Sequence, residues 1–92
     1  MAVVESRNPT RPAEVLGVFP AATADDVDRA VRAAGEAQRV WALVPAPARA
    51  EMIEECGRLL GEHKAELATL VAREVGKIAA EAGGDVQEAI DM

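Results

Sequence analysis

The sequence predicts a mostly α-helical chain with a short N-terminal β-hairpin. From residue 27 onward, apolar residues recur at three- and four-residue intervals, as they do along one face of a helix. Half of the residues are apolar, and much of that share is alanine, the strongest helix former. Before this region, two short runs containing Val flank a turn-forming segment, which favours a hairpin.

The hairpin is expected within residues 1–22. Asn8-Pro9-Thr10-Arg11-Pro12 places two prolines and an asparagine in five residues, a composition that is typical of turns. Ala2–Ser6 before it and Glu14–Phe19 after it carry Val, Leu and Phe, so each is predicted to form a short strand.

Thr23 is predicted to begin the first helix. Its hydroxyl can accept a backbone N–H, Asp26 stands at the reciprocal position of a capping box, and Asp25 adds negative charge at the positive helix end. The expected apolar face of this helix consists of Val27, Ala30, Val31, Ala34, Ala37 and Trp41.

Proline and glycine divide the rest of the chain. Val44–Pro47 is predicted to end the first helix, and a second helix is expected from about Ala48 to Leu60. Its buried face is expected to hold Met52, Ile53, Cys56, Leu59 and Leu60. A bend at 61–63 precedes a third helix that ends at Gly76-Lys77, and Gly83-Gly84 is expected to interrupt the helical stretch that follows.

Composition excludes several classes of function. The 16 acidic residues exceed the 10 Lys and Arg, and no basic patch appears that would attract nucleic acid or an anionic membrane. A single cysteine cannot form an internal disulfide. The sequence has no apolar stretch of membrane-spanning length and no signal-peptide pattern, so a cytoplasmic location is expected.

The order of these segments closely resembles the N-terminal region of the NAD(P)-dependent aldehyde dehydrogenase superfamily. The residues that carry the resemblance are Asn8-Pro9, Glu14–Val18, Ala24–Val31, Trp41, Glu74-Val75-Gly76-Lys77 and Val86-x-Glu88. Residues 44–47 and 84–88 are most similar to the aminoadipic-semialdehyde (antiquitin-like) branch. The resemblance implies an α/β parent enzyme with a Rossmann-like cofactor domain. Residues 1–92 would form part of that domain, with hairpin and turn at 1–22 and helices at 23–92.

The same resemblance implies where the chemistry lies. The family oxidises an aldehyde to a carboxylic acid with NAD or NADP, using a thiolate, a carboxylate base and an oxyanion-stabilising amide. These groups are expected beyond residue 92, so no catalytic or cofactor-binding residue is predicted in this chain. Cys56, on an apolar helix face, is expected in the core, and His63, at a polar bend, on the surface.

One ion site is implied by the family. Glu74, together with the backbone carbonyls of Ser6 and Arg7, resembles a structural site for a monovalent cation, which favours oxygen ligands. The alternative interpretation of Glu74 is a helix-end carboxylate in a surface pair.

The last residues, 84–92, read as an amphipathic helix without a C-cap signal, which predicts an N-terminal fragment of a longer enzyme. The expected partner is the remainder of the aldehyde dehydrogenase, or a second copy. The alternative is a non-enzymatic helical interaction module or a split-enzyme subunit. We expect the isolated chain to show no dehydrogenase activity, no NAD binding by calorimetry and no sharp two-state melting.

Overall fold

A computed structural model describes residues 1–92 and contains two strands followed by four helices. The elements are β1 (Val3–Arg7), β2 (Val15–Pro20), α1 (Ala24–Trp41), α2 (Ala46–Glu62), α3 (Lys64–Val75) and α4 (Ala79–Asp91). The predicted class, a mostly helical chain with an N-terminal hairpin, is confirmed. None of the helices combines the length and apolar character that a membrane span requires.

The two strands pair antiparallel, as predicted, with each strand one residue later than expected at both ends. Val3 lies opposite Pro20 and Ser6 opposite Gly17, but Arg7 lies opposite Val15. This shift leaves one residue of β2 without a partner, which is the signature of a β-bulge. The bulge lies where the hairpin meets its turn.

Helix α1 begins with the predicted capping box. The Thr23 hydroxyl accepts the Asp26 N–H at 3.1 Å, and the Asp26 carboxylate accepts the Thr23 N–H at 2.8 Å. These bonds from the Thr23 backbone and hydroxyl lower the pKa of Asp26. Despite this well-formed start, no residue of α1 is buried. The helix therefore rests on local interactions and presents its apolar face to solvent.

The middle helices differ from prediction at their ends. Helix α2 begins at Ala46, two residues early, because Pro47 fits the first turn, where its missing N–H costs nothing. It then continues two residues beyond the predicted end at Leu60, into the predicted bend, and ends at Glu62. Helix α3 ends as predicted at Gly76, which adopts a left-handed conformation with φ of 77°.

The predicted interruption at Gly83-Gly84 is wrong, because α4 runs unbroken through both glycines. Each mid-helix glycine costs about 1 kcal/mol relative to alanine. The flanking residues Ala82 and Val86 are the two buried apolar residues of the chain, at 0% and 5% exposure. Their packing against the neighbouring helices offsets the weak propensity of the glycines.

Helix α4 is the centre of the helical part, with α2 and α3 packed against it. Polar contacts reinforce this arrangement: Lys64 Nζ donates to Gln87 Oε1 at 2.8 Å, and Lys77 Nζ to Asp85 Oδ2 at 2.6 Å. The second contact raises the pKa of Lys77. The first contact joins the start of α3 to α4, and the second joins the α3–α4 connection to α4.

The molecule is a thin layer. Its dimensions are 47 × 36 × 15 Å, and its radius of gyration is 17.2 Å, where a compact chain of this length has about 12 Å. The accessible surface is 7157 Å², against about 5,100 Å² for a compact protein of 9.7 kDa. About 2,000 Å² of surface is thus exposed that a compact fold would bury.

The expected burial of the α2 apolar face is wrong. Met52, Ile53 and Leu59 are 54%, 59% and 43% exposed, and Cys56 is exposed as well. The periodicity of α2 identifies a face that suits burial, but the main contacts of α2 within this chain are with α4 and, less extensively, α3. No other layer of the chain covers the rest of that face.

Candidate functional site

The hairpin turn is organised around Asn8, the only buried polar residue, at 8% exposure. The Asn8 Oδ1 accepts the Thr10 N–H at 2.9 Å, which forms an Asx turn, and the Asn8 Nδ2 donates to Glu14 Oε2 at 3.0 Å. The Asn8 N–H donates to the Glu14 carbonyl oxygen at 3.1 Å. Asn8 therefore closes the turn with both its side chain and its backbone.

Glu14 extends this arrangement to α3. Its Oε1 accepts the Arg73 Nε–H at 3.0 Å, and Nη2 of Arg73 donates to the same oxygen. The Arg73 hydrogen bond, followed by that of Asn8, lowers the pKa of Glu14. The carboxylate of Glu14, just before β2, thus joins residues 8 and 73, which lie far apart in the sequence.

Ser6 and Glu74 form a second contact between the same elements. The Ser6 Oγ donates to Glu74 Oε2 at 2.5 Å. The guanidinium of Arg7 lies elsewhere, with Nε 3.0 Å from Glu5 Oε2 and Nη1 2.9 Å from the Pro12 carbonyl oxygen. The structure therefore brings together Ser6 and Glu74 of the predicted cation set, through the hydroxyl of Ser6.

Gly76 completes the junction. A Cβ added at this position would lie 3.1 Å from Pro9 Cγ and 3.3 Å from Thr10 Oγ1, tighter than ordinary contact. The left-handed backbone of Gly76 would also strain any other residue. A glycine is thus required both to end α3 and to let the hairpin turn approach. We call the set Ser6, Asn8, Glu14, Arg73, Glu74 and Gly76 the hairpin–α3 junction.

The chemistry of the junction is that of binding and positioning. It supplies carboxylate, hydroxyl and amide oxygens, and it contains neither a thiol nor an imidazole. Cys56 lies on α2, and His63 lies at the α2–α3 break, where its exposed ring contacts Glu66 as expected of a surface histidine. Nowhere do three or more His, Cys, Asp or Glu side chains cluster as a metal site would require.

Sequence reasoning missed Asn8, Glu14 and Arg73 as members of the junction. The Asn-Pro turn was a signal for Asn8. The Glu14–Arg73 pair had no local signal, because its partners are 59 positions apart.

Comparison with known proteins gives consistent matches. Residues 2–92 match the profile of the Aldehyde dehydrogenase family. The chain is 44% identical over 89 residues to "Aldehyde dehydrogenase family 7 member A1" of Pisum sativum, covering 97% of this chain and 17% of the relative. It is 39% identical over 88 residues to "Alpha-ketoglutarate semialdehyde dehydrogenase" of Haloferax volcanii, covering 96% and 18%.

A third relative is "Malonate-semialdehyde dehydrogenase 1" of Geobacillus thermodenitrificans. It is 46% identical over 78 residues, which cover 85% of this chain and 16% of the relative. The chain therefore spans about a sixth of the length of these curated relatives.

Proposed function

The chain belongs to the aldehyde dehydrogenase family, and on that premise we propose that it forms the N-terminal part of an enzyme that oxidises an aldehyde to a carboxylic acid with NAD or NADP. The observation that carries this proposal is the match over residues 2–92, together with 44% identity over 97% of the chain to a family 7 relative. The predicted family is confirmed, and the antiquitin-like resemblance agrees with that relative.

In this proposal the chain contributes structure, and the catalytic thiolate, base and oxyanion donor come from the rest of the polypeptide. In the overall reaction, water supplies the second carboxyl oxygen and the aldehyde carbon gives a hydride to the nicotinamide. The thin shape supports a structural role, because about 2,000 Å² of extra surface exceeds the roughly 800 Å² that one partner contributes to a stable interface. The remainder of the aldehyde dehydrogenase is the partner that we propose.

The test is a chimera in which residues 1–92 replace the matching region of the Geobacillus thermodenitrificans relative. We expect the chimera to reduce NAD or NADP with malonate semialdehyde, the substrate in the name of that relative. The control is the same relative with its matching region deleted, which we expect to be inactive. A folded chimera that is as inactive as the deletion control would overturn the proposal.

We also propose that Glu74 and the carbonyls of Ser6 and Arg7 hold a monovalent cation. The contact between Ser6 and Glu74 supports this, since it sets a carboxylate against β1 beside the bulge. Titration of the chain with NaCl, followed by ²³Na line width, measures sodium binding directly. Calorimetry measures the binding of Na⁺ from NaCl and of K⁺ from KCl. We expect Glu74→Gln to abolish the signal, and an unchanged signal would assign Glu74 to the surface-pair alternative.

A further inference from the structure

Three residues form a continuous bridge of hydrogen bonds from the hairpin turn to α3. The two carboxylate oxygens of Glu14 face different elements: Oε1 accepts the Arg73 Nε–H at 3.0 Å, and Oε2 accepts a proton of Asn8 Nδ2 at 3.0 Å. The Asn8 N–H also donates to the backbone carbonyl oxygen of Glu14 at 3.1 Å, so Glu14 is fixed to the turn by its backbone as well. We call Asn8, Glu14 and Arg73 the carboxylate bridge.

The carboxylate bridge is adjacent in sequence to the groups of the proposed cation site. Arg73 immediately precedes Glu74, and Asn8 immediately follows Arg7. The Ser6 hydroxyl lies 2.5 Å from Glu74 Oε2, so the carboxylate already lies against β1. Carboxylate and carbonyl oxygens are the ligands that a hard cation favours, and the groups present at this position therefore fit such an ion.

Few other contacts set the position of β1 relative to α3. The two strands pack extensively on each other, whereas neither packs extensively on a helix. Apart from the close approach of Gly76 to the turn, the contacts that join the hairpin to α3 are the carboxylate bridge and the Ser6–Glu74 hydrogen bond. A ligand set divided between two elements is complete only while the elements are docked. Contacts that favour docking therefore raise the apparent affinity for the ion.

We propose that the carboxylate bridge positions Glu74 for the monovalent cation, and that cation binding and hairpin docking stabilise each other. This inference rests on the proposed cation site at Glu74 and the carbonyls of Ser6 and Arg7. Arg73 is a positioning residue, because a guanidinium has no acceptor with which to bind a cation. A cation that binds only the docked hairpin must also stabilise docking, since the coupling between the two equilibria is reciprocal.

The charge of Arg73 allows the proposal to be tested by the sign of an effect. Arg73 places a positive charge next to Glu74 in the sequence. Removal of that charge would, by Coulomb interaction alone, raise the affinity of the site for a cation. If Arg73 positions Glu74, its removal lowers the affinity instead, because the docked arrangement becomes less populated.

The experiment compares Na⁺ binding by the unmodified chain and by Arg73→Met, using ²³Na line width and calorimetry. Choline chloride keeps the ionic strength constant, so that screening is the same in every sample. We expect the Na⁺ affinity of Arg73→Met to be about threefold lower. The matched control is Arg11→Met, which makes the same change of charge at an exposed position of the turn. Its Na⁺ affinity should be equal to that of the unmodified chain or slightly higher.

A second variant breaks the bridge without a change in α3. Glu14→Gln removes the charged acceptor of Arg73, so we expect it also to lower the Na⁺ affinity. Glu14→Gln and Arg73→Met together should lower the affinity by less than the product of their separate effects, because they remove one shared contact. Separate effects that multiply would mean that the two residues act independently, which would overturn the bridge as the positioning contact.

The reciprocal effect is measured by hydrogen exchange of the hairpin amides. Replacing choline chloride by NaCl should slow their exchange in the unmodified chain, because the bound ion stabilises the docked hairpin. Amides of α1, which contributes no ligand, should exchange at the same rate in both salts. Hairpin exchange that does not respond to Na⁺ in a chain that binds Na⁺ would overturn the coupling.

This inference and the proposals on which it depends fail differently. If the unmodified chain binds Na⁺ and Arg73→Met binds it equally or more tightly, the positioning role is overturned and the cation site stands. If calorimetry shows that the unmodified chain binds neither Na⁺ nor K⁺, the cation site and the positioning role are both overturned. The dehydrogenase proposal is tested separately, by the activity of the chimera.

Discussion

The hairpin–α3 junction and helix α1 are built in opposite ways. The junction joins residues 59 to 68 positions apart through Glu14–Arg73 and Ser6–Glu74, and it surrounds a buried asparagine. Helix α1 has the capping box and the sharply amphipathic pattern of a stable helix, yet none of its residues is buried. Good local signals in α1 therefore accompany a helix with no buried residue, while the side-chain contacts that join the hairpin to α3 have no local signal.

This contrast has a thermodynamic consequence. An isolated helix of 18 residues is marginal in water, because nucleation is costly and most helix stability in proteins comes from packing of the apolar face. The junction has tertiary contacts that open only when the hairpin leaves α3. We therefore expect the two regions to open independently, with α1 opening at lower free energy.

The largest expected effect is at the centre of the junction. Asn8→Ala removes the Asx turn and the bond to Glu14, and it leaves the buried turn with unsatisfied groups. We expect the local opening free energy of the hairpin amides, measured by hydrogen exchange, to fall by about 2 kcal/mol. Amides of α1 should not change.

The matched control is Arg11→Ala, at an exposed position of the same turn, which should change hairpin exchange by less than about 0.5 kcal/mol. Equal effects of the two substitutions would show that Asn8 is not the organising residue of the junction.

A substitution at the N-cap of α1 tests whether this helix depends on its local interactions. Thr23→Ala removes the hydroxyl half of the capping box, and a lost N-cap costs about 1 kcal/mol. We expect the helical signal of residues 24–41, read from NMR chemical shifts, to decrease, while exchange at the junction stays the same. Thr23→Ser keeps the acceptor and should preserve most of the helix. Increased exchange at the junction would contradict the independence of the two regions.

The sequence predicted the elements whose signals are local. The Asn8–Pro12 turn, the box between Thr23 and Asp26, and the helix end at Gly76 each depend on neighbouring residues, and all three are present. Gly83-Gly84 failed as a break because the packing of Ala82 and Val86 overrides glycine propensity.

The remaining differences are non-local. Glu14 and Arg73 are ordinary charged residues in the sequence, and only the folded hairpin brings them together. The family resemblance named Glu74 with the backbone carbonyls of Ser6 and Arg7 as a cation site, whereas the contact seen in the structure is made by the Ser6 hydroxyl. The burial of Cys56 was predicted wrongly because periodicity indicates which face suits burial but not whether this chain supplies the partner.

The smallest expected effect is on the pH dependence of stability, which has a different source in the hairpin–α3 junction and in helix α1. Arg73 and Asn8 lower the folded-state pKa of Glu14, so the unfolded chain binds this proton more readily than the folded one. This stabilisation of the junction by Glu14 is therefore fully present above the unfolded pKa of about 4.3 and is lost as the pH falls through the lower folded pKa.

Asp26 also has a lowered pKa, so α1 should weaken over a similar pH range through its own cap. Glu14→Gln separates the two: the opening free energy of the hairpin amides, corrected for intrinsic exchange, should lose its pH dependence below about pH 4.3, while that of α1 keeps it. A hairpin that keeps the same acid sensitivity in Glu14→Gln would show that Glu14 is not the source of the pH dependence.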